Sequence, residues 1–267
     1  MLRPVTVLLG VEARLRRTRL LFATDARPPS GDLESLASAA IAGGAGMIAL
    51  VDDALDARGQ LDALEALRRA GERQQVLVAV YNDADVAGEF AADVLLLPDD
   101  GSSAKKARRA LHENALIGRS CRGEADIDAA VADPDVNFFV VDSDAATVGY
   151  AAKAAPPSNP DAKPWFAAGG ITPGNVDEAL GAGARRVMVS RAIERAGDPQ
   201  AAASALDERL AKAWQGADME AAIFGHPGRP VMSAEEAFPG LAGTGGSVGG
   251  SGGGGTRGSG STRAEDS

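Results

Sequence analysis

The sequence has one cysteine, two histidines and no long apolar run. A single thiol, Cys121, excludes any intramolecular disulfide and fits a reducing cytoplasm. No apolar stretch approaches the roughly 18 residues needed to span a bilayer, so no membrane span is expected. The opening MLRPVTVLLGVEARLRR has a short apolar run with no small-residue cleavage pattern after it, and no signal peptide is read there. An excess of positive charge is also missing. The formal net charge is −10, which argues against nucleic-acid binding, because a phosphate backbone calls for a basic face. His112 falls at a predicted helix end and His226 beyond the last regular element, so neither suits acid–base work at strand ends.

Glycine is abundant, at 33 of 267 residues, and unevenly spread. From Gly240 to Ser267 the chain is dominated by Gly, Ser, Thr and Ala. Such a segment buries too little apolar surface to offset its ordering entropy, so a disordered Gly/Ser-rich C-terminal tail is expected over 240–267. Residues 216–239 show no clear period and read as an irregular segment. Residues 1–19 read as an N-terminal extension. Residues 20–215 are left for one sizeable core.

Within that core, short apolar runs alternate with helical patterns. Strands are predicted at Leu20–Thr24, Gly43–Val51, Gln75–Tyr81, Asp93–Leu97, Leu116–Arg119, Val136–Val141, Trp165–Ala168 and Val187–Ser190. Helices are predicted at Asp32–Ala42, Gln60–Ala70, Asp83–Phe90, Ser103–His112, Glu124–Ala132, Thr147–Ala155, Asn175–Ala182 and Pro199–Trp214. All-apolar strands alternating with helices imply a parallel sheet covered on its faces. Eight such units point to an α/β fold of the single (β/α)8 TIM-barrel type, with an open doubly wound sheet as the alternative.

The stretch from Trp165 to Ile193 carries the most chemistry. Gly169-Gly170 ends the seventh strand, where the backbone can turn tightly and approach a ligand. Thr172 reads as an N-cap with Pro173 at the first helical position, and Gly183 closes the helix. In a (β/α)8 barrel the loops after strands 7 and 8 commonly form a phosphate site. Glycine turns are also common with no ligand at all, and the position at two successive strand ends is what raises the signal.

Taken in order, several strand ends resemble the family of thiamine-phosphate synthases and thiazole tautomerases. These are Thr24-Asp25, Asn82-Asp83, Ile117-Gly118-Arg119-Ser120, Gly169-Gly170-Ile171-Thr172 and Val189-Ser190-Arg191-Ala192-Ile193. The likeness runs from about Leu20 to Trp214. It implies a synthase that joins a pyrimidine methyl pyrophosphate to a thiazole phosphate and releases pyrophosphate, with Mg²⁺ stabilising the leaving group. By the same resemblance Asn82 and Ser120 contact pyrophosphate, Asp83 holds the metal, and Gly169 and Gly170 hold the thiazole phosphate with Ser190 and Arg191 nearby. The implied partner is a phosphorylated small molecule, and a homo-oligomer is left open.

The chain also departs from the family pattern. Where the family has Gln-Leu-Arg-Asp-Lys after strand 2, this sequence has Ala49-Leu50-Val51-Asp52-Asp53. A His-Leu-Gly-Gln pattern becomes Leu96-Leu97-Pro98-Asp99. The long Thr- and Lys-containing loop after strand 6 becomes Asp142-Ser143-Asp144-Ala145-Ala146-Thr147. Segment Ser120-Cys121-Arg122 lacks the histidine of the tautomerase branch, which lowers that reading. Cys121 could turn its thiol to the mouth, but no histidine is placed to activate it. Asp25, Asp52, Asp53, Asp83, Asp99, Asp100, Asp142 and Asp144 face Arg27, Arg119, Arg122 and Arg191 at the expected mouth. Such a mouth repels pyrophosphate unless metal ions intervene, although loop aspartates also serve as ordinary turn and cap residues. The Lys105-Lys106 and Arg108-Arg109 cluster reads as a solvated helix face. Two readings follow: a divergent synthase, or a non-catalytic phosphate-binding barrel acting as a binding or assembly module.

The tail composition makes a direct prediction. Deleting 240–267 leaves the thermal midpoint within about 2 °C, because a disordered coil contributes few native contacts. Thermal unfolding of the two chain lengths checks this, and a larger fall would show that the tail packs on the core.

Overall fold

The computed structural model describes residues 10–26, 31–52, 54–217 and 219. The irregular segment beyond these and the tail expected over 240–267 lie outside the described residues. Eight parallel strands form a closed barrel in sequence order: β1 Leu20–Thr24, β2 Ala45–Leu50, β3 Leu77–Tyr81, β4 Val94–Leu97, β5 Leu116–Cys121, β6 Phe138–Asp142, β7 Trp165–Ala168 and β8 Val187–Val189. The last strand returns to the first, with Leu20, Leu21 and Phe22 paired to Val187, Met188 and Val189. Closure removes both sheet edges, so no row of unpaired strand amides is left open. It also decides between the two architectures that the sequence allowed.

Strand alternation divides the side chains into two sets. Leu20, Phe22, Ile48, Val78, Val80, Leu95, Ile117, Phe139 and Trp165 point outward into the layer shared with the helices. Leu21, Ala23, Met47, Ala49, Leu77, Ala79, Val94, Leu96, Phe138, Val140 and Phe166 fill the barrel interior. The interior is uneven. Phe138 and Phe166 meet edge to face, with ring centroids 5.8 Å apart. The opposite wall carries Ala23, Ala49 and Ala79 in register on β1, β2 and β3. Gly118 on β5 makes room for the Phe138 ring, since a Cβ there would lie 2.3 Å from the Phe138 Cζ.

Helices α2 Leu33–Ala42, α3 Ala57–Gly71, α4 Ala84–Phe90, α5 Ala104–Ala107, α6 Glu124–Ala132, α7 Ala145–Ala154, α8 Val176–Ala182, α9 Arg191–Glu194 and α10 Pro199–Gly216 complete the units. Aspartates start many of them. Asp32, Asp56, Asp83, Asp144 and Asp198 each accept a hydrogen bond from a first-turn amide of α2, α3, α4, α7 and α10. The Thr147 side chain and amide hold the Asp144 carboxyl below its ordinary value.

One element goes beyond the sequence reading, and two expectations for helix bounds and caps are corrected. The N-terminal extension 1–19 contains a helix, α1 Val11–Arg17. Its Leu15 is 1% exposed and joins the barrel interior, closing the end opposite the strand C-termini. The helix predicted over Ser103–His112 is only Ala104–Ala107. Beyond it the amides of Arg109, Ala110 and Leu111 bond three residues back. Arg108 is drawn down to the Ala115 carbonyl at 2.5 Å and to Asn137 Oδ1 at 3.2 Å, so it is a structural strut and not part of a solvated face. Lys105, Lys106 and Arg109 are exposed as expected. Thr172 does not cap α8. The helix starts after Asn175, and Thr172 opens the turn before it, because the Asn175 side chain folds back onto the turn.

The plug makes a second prediction. Leu15→Ala costs about 2–5 kcal/mol of stability, because it removes a buried side chain from a packed interior. Urea unfolding checks this, and a change below about 0.5 kcal/mol would show that α1 does not close the barrel.

Candidate functional site

The loops after β7 and β8 form a cavity of about 430 Å³ lined by Ala23, Ala168, Gly169, Gly170, Ile171, Thr172, Met188, Val189, Ser190, Arg191 and Ala192. Its floor comes from the inward side chains Ala23, Ala168 and Met188. Its rim is backbone, with Ser190 and Arg191. Gly169 and Gly170 adopt φ of +107° and +64°, in the region that side chains with a Cβ rarely enter. A Cβ on Gly170 would meet nothing within 4 Å, so the requirement for glycine here is backbone conformation and not space.

Two side chains hold this loop in shape. Asn175 Oδ1 accepts the Thr172 amide at 2.7 Å and its hydroxyl at 3.0 Å, while Asn175 Nδ2 donates to the Gly170 carbonyl at 3.1 Å. Ser143, at the end of β6, donates its hydroxyl to the Gly169 carbonyl at 2.5 Å. Both carbonyls are thereby turned to protein donors. The amides of Gly170 and Ile171 donate to no acceptor among the described residues. Free amides in a left-handed turn make an anion-binding concavity. Arg191 is exposed at the rim with no carboxylate partner among the described residues. Across the cavity wall, Ser190 Oγ donates to Glu194 Oε2 at 3.2 Å, and Glu194 Oε1 is buried with no partner.

Thus the structure brings together four of the residues singled out in the sequence: Gly169, Gly170, Ser190 and Arg191. It does not bring the other three into the same cavity. Asn82 is exposed, with φ of +65°, and its amide donates to the Leu96 carbonyl at 2.9 Å. Asp83 caps α4, with Oδ1 accepting the Asp85 and Val86 amides at 3.0 and 2.9 Å. Ser120 is half-buried at the end of β5, facing the interior beside Val140.

The mouth cations are mostly occupied. Arg119 reaches the Pro98 and Ser102 carbonyls, each at 2.7 Å, and pins the loop after β4. Arg122 pairs with Asp99 at 2.7 Å. Asp52 is buried and accepts the Ala26 and Ala54 amides at 3.2 and 3.0 Å, so it organises two loops. Arg27 and Asp53 lie outside the described residues. Among the described residues, no three His, Cys, Asp or Glu side chains converge to hold a metal ion.

Cys121 does not face the mouth. It lies on the outer side of β5, 3% exposed, with Sγ 3.7 Å from the Arg119 carbonyl and 3.5 Å from the Asp126 carbonyl. Burial first, and then the Asp126 charge, pushes its thiol up to about 12, which removes any role as an activated nucleophile. His112 binds the Ala92 carbonyl at 2.9 Å through Nε2, far from the strand C-termini in the fold. His226 is outside the described residues. Asn175, Ser143 and Glu194 were missed as site residues. The Asn175 signal was its place five residues after Gly170, within one turn's reach of the loop. Ser143 and Glu194 had no local signal.

Fold and site define a (β/α)8 barrel with a phosphate-type cradle after its last two strands. The family model described as thiamine monophosphate synthase matches residues 20–193. A thiamine-phosphate synthase of Thermobifida fusca is 41% identical over 208 residues, covering 75% of this chain and 95% of that protein. One from Saccharopolyspora erythraea is 39% identical over 216 residues, covering 75% and 96%. Among solved structures, a thiamine phosphate pyrophosphorylase from Pyrococcus furiosus superposes with a TM-score of 0.66 at 21% identity, covering 74% of this chain and 98% of that one. The chain belongs to the thiamine-phosphate synthase family. No helix among the described residues is long and apolar enough to cross a membrane.

The cradle yields a third prediction, for titration calorimetry with thiazole phosphate and inorganic phosphate. Arg191→Ala weakens phosphate binding by about 1–3 kcal/mol, and Asn175→Ala by a similar amount through loss of loop geometry. Gly170→Val abolishes it without unfolding the barrel, since a β-branched residue cannot hold the left-handed turn. If the wild-type chain binds neither ligand at millimolar concentration, the glycines are only turns.

Proposed function

We propose that this protein joins a pyrimidine methyl pyrophosphate to a thiazole phosphate, with the phosphomonoester anchored in the cradle after β7 and β8. The observation that carries the reading is the pair of unoccupied amides at Gly170 and Ile171 beside the exposed Arg191. Backbone amides and one guanidinium suit a phosphomonoester, and the apolar floor beneath them suits the ring attached to it. The high identity to named synthases supports the same activity.

The pyrophosphate half is leaner. Asn82 and Asp83 follow β3 and Ser120 lies at the end of β5, one strand further round the barrel beyond β4, and Val51 after β2 replaces an expected cation. Asp83 spends one oxygen on its cap, and its Oδ2 has no partner among the described residues. A single carboxylate suits Mg²⁺, which commonly binds through one or two carboxylates together with substrate phosphates. When bound, the ion would neutralise charge building on the departing pyrophosphate. Asp83 would hold it, Asn82 and Ser120 would offer hydrogen bonds to the same oxygens, and the cradle would fix the acceptor ring. A cytoplasmic setting accords with the lone, reduced thiol.

A second reading rests on the engagement of Arg119 and Arg122, which leaves few cations for pyrophosphate. On that reading the barrel binds a phosphorylated small molecule without turning it over. The deciding assay incubates purified protein with both substrates and Mg²⁺ and measures thiamine phosphate. The expected result is Mg²⁺-dependent product, falling about 10²-fold in Asp83→Asn. Asparagine is as good an N-cap as aspartate, so this change removes charge while keeping α4. Binding of thiazole phosphate without product would establish the second reading.

A further inference from the structure

The cavity after β7 and β8 has one side chain whose hydrogen-bonding direction limits what the cavity accepts. Ser190 follows β8 and lines the cavity with Met188. Val187 and Val189 belong to the outer layer and Met188 to the interior, so strand alternation turns Ser190 inward as well. Its hydroxyl has one proton to give and lone pairs to accept with. The proton is committed, because Oγ donates to Glu194 Oε2 at 3.2 Å. The lone pairs are open. Ser190 directly precedes α9, yet its side chain caps no amide of that helix. No other donor reaches its Oγ among the described residues.

Glu194 keeps that proton where it is. Its Oε1 is buried with no partner. Ser190 is the one side-chain donor to this carboxylate among the described residues. Turning the hydroxyl toward a ligand would leave both oxygens of a half-buried carboxylate without a protein donor, which is costly. The rest of the cradle is built of donors. The Gly170 and Ile171 amides are unoccupied, and Arg191 is the one charged residue lining the cavity. An anion seated there therefore meets donors on one side and the Ser190 lone pairs on another. A fully ionised anion has acceptors alone, so it sets an oxygen against those lone pairs. A phosphate that still carries a proton donates it to Ser190 Oγ and satisfies both sides.

We infer that Glu194 is a positioning residue that holds Ser190 as an acceptor, so that the cradle selects a phosphate group carrying one proton over a fully ionised anion. This rests on the reading of the cradle as a phosphate site. The test is titration calorimetry of the full chain with inorganic phosphate and with sulfate, at equal ionic strength. At about pH 8 both are dianions of similar size, and phosphate alone carries a proton. Phosphate is expected to bind about tenfold tighter, the worth of one charge-assisted hydrogen bond. Glu194→Ala frees the hydroxyl to donate to either anion, so sulfate gains more than phosphate and the ratio falls to about one. Ser190→Ala removes the acceptor, weakens phosphate and lowers the ratio from the other side. A Glu194 that only supported the fold, or only repelled anions by its charge, would move both affinities together and leave the ratio unchanged. Equal wild-type affinities for phosphate and sulfate would overturn the inference and leave the cradle standing. An unchanged ratio in either variant would overturn it too. Binding of neither anion to the wild-type chain at millimolar concentration would overturn the inference and the cradle together.

Discussion

Everything at the working end of this protein depends on β8 pairing back onto β1. That pairing gives Leu20, Leu21 and Phe22 their partners in Val187, Met188 and Val189. It also sets the β8 loop beside the β7 loop on one side and beside β1 on the other. The cavity floor is built from all three strands, as Ala23, Ala168 and Met188. Unpairing β1 from β8 would expose two sheet edges and remove one wall of the cradle together. Helix α1 supports this seam from below, since Leu15 fills the interior and Arg186 before β8 bonds the Arg16 carbonyl.

Charge at the mouth is less hostile to phosphate than the count of aspartates suggests. Asp83 and Asp144 satisfy helix amides, Asp52 ties two loops together, and Asp99 is paired with Arg122. A carboxylate that already accepts hydrogen bonds from fixed amides has part of its charge answered locally. The same economy restricts the arginines: Arg119 and Arg122 are structural first, and Arg191 is left at the rim. On the proposed reading the site is asymmetric, with a phosphomonoester cradle made of backbone and a pyrophosphate side short of fixed cations.

The cradle works through carbonyls as much as through amides. A loop with Gly169 and Gly170 could turn either group toward a ligand. Asn175 and Ser143 take the two carbonyls and so present the amides. Glu194 adds a constraint of its own, because the Ser190 hydroxyl that donates to it can offer a ligand only its lone pairs.

The sequence alone determined the alternation of strands and helices. Period-2 and period-3.6 patterns are local, and β1, α6 and β7 fall at Leu20–Thr24, Glu124–Ala132 and Trp165–Ala168 as read. It also determined the family and pointed to the glycine turn, because Gly169-Gly170 permits a backbone that few other residues adopt. The helix of 1–19 escaped notice because its reason is the single buried Leu15 against a distant barrel wall. The direction of Cys121 escaped because a one-residue difference in strand register moves a side chain from one face to the other. Whether each aspartate is a cap, an ion-pair partner or a ligand depends on which amide or guanidinium the fold brings within hydrogen-bonding distance. Those partners, such as Asp52 with Ala26, Ser143 with Gly169 and Arg122 with Asp99, lie on different strand ends. Parallel pairing of consecutive strands makes them neighbours, so only the tertiary structure could assign them.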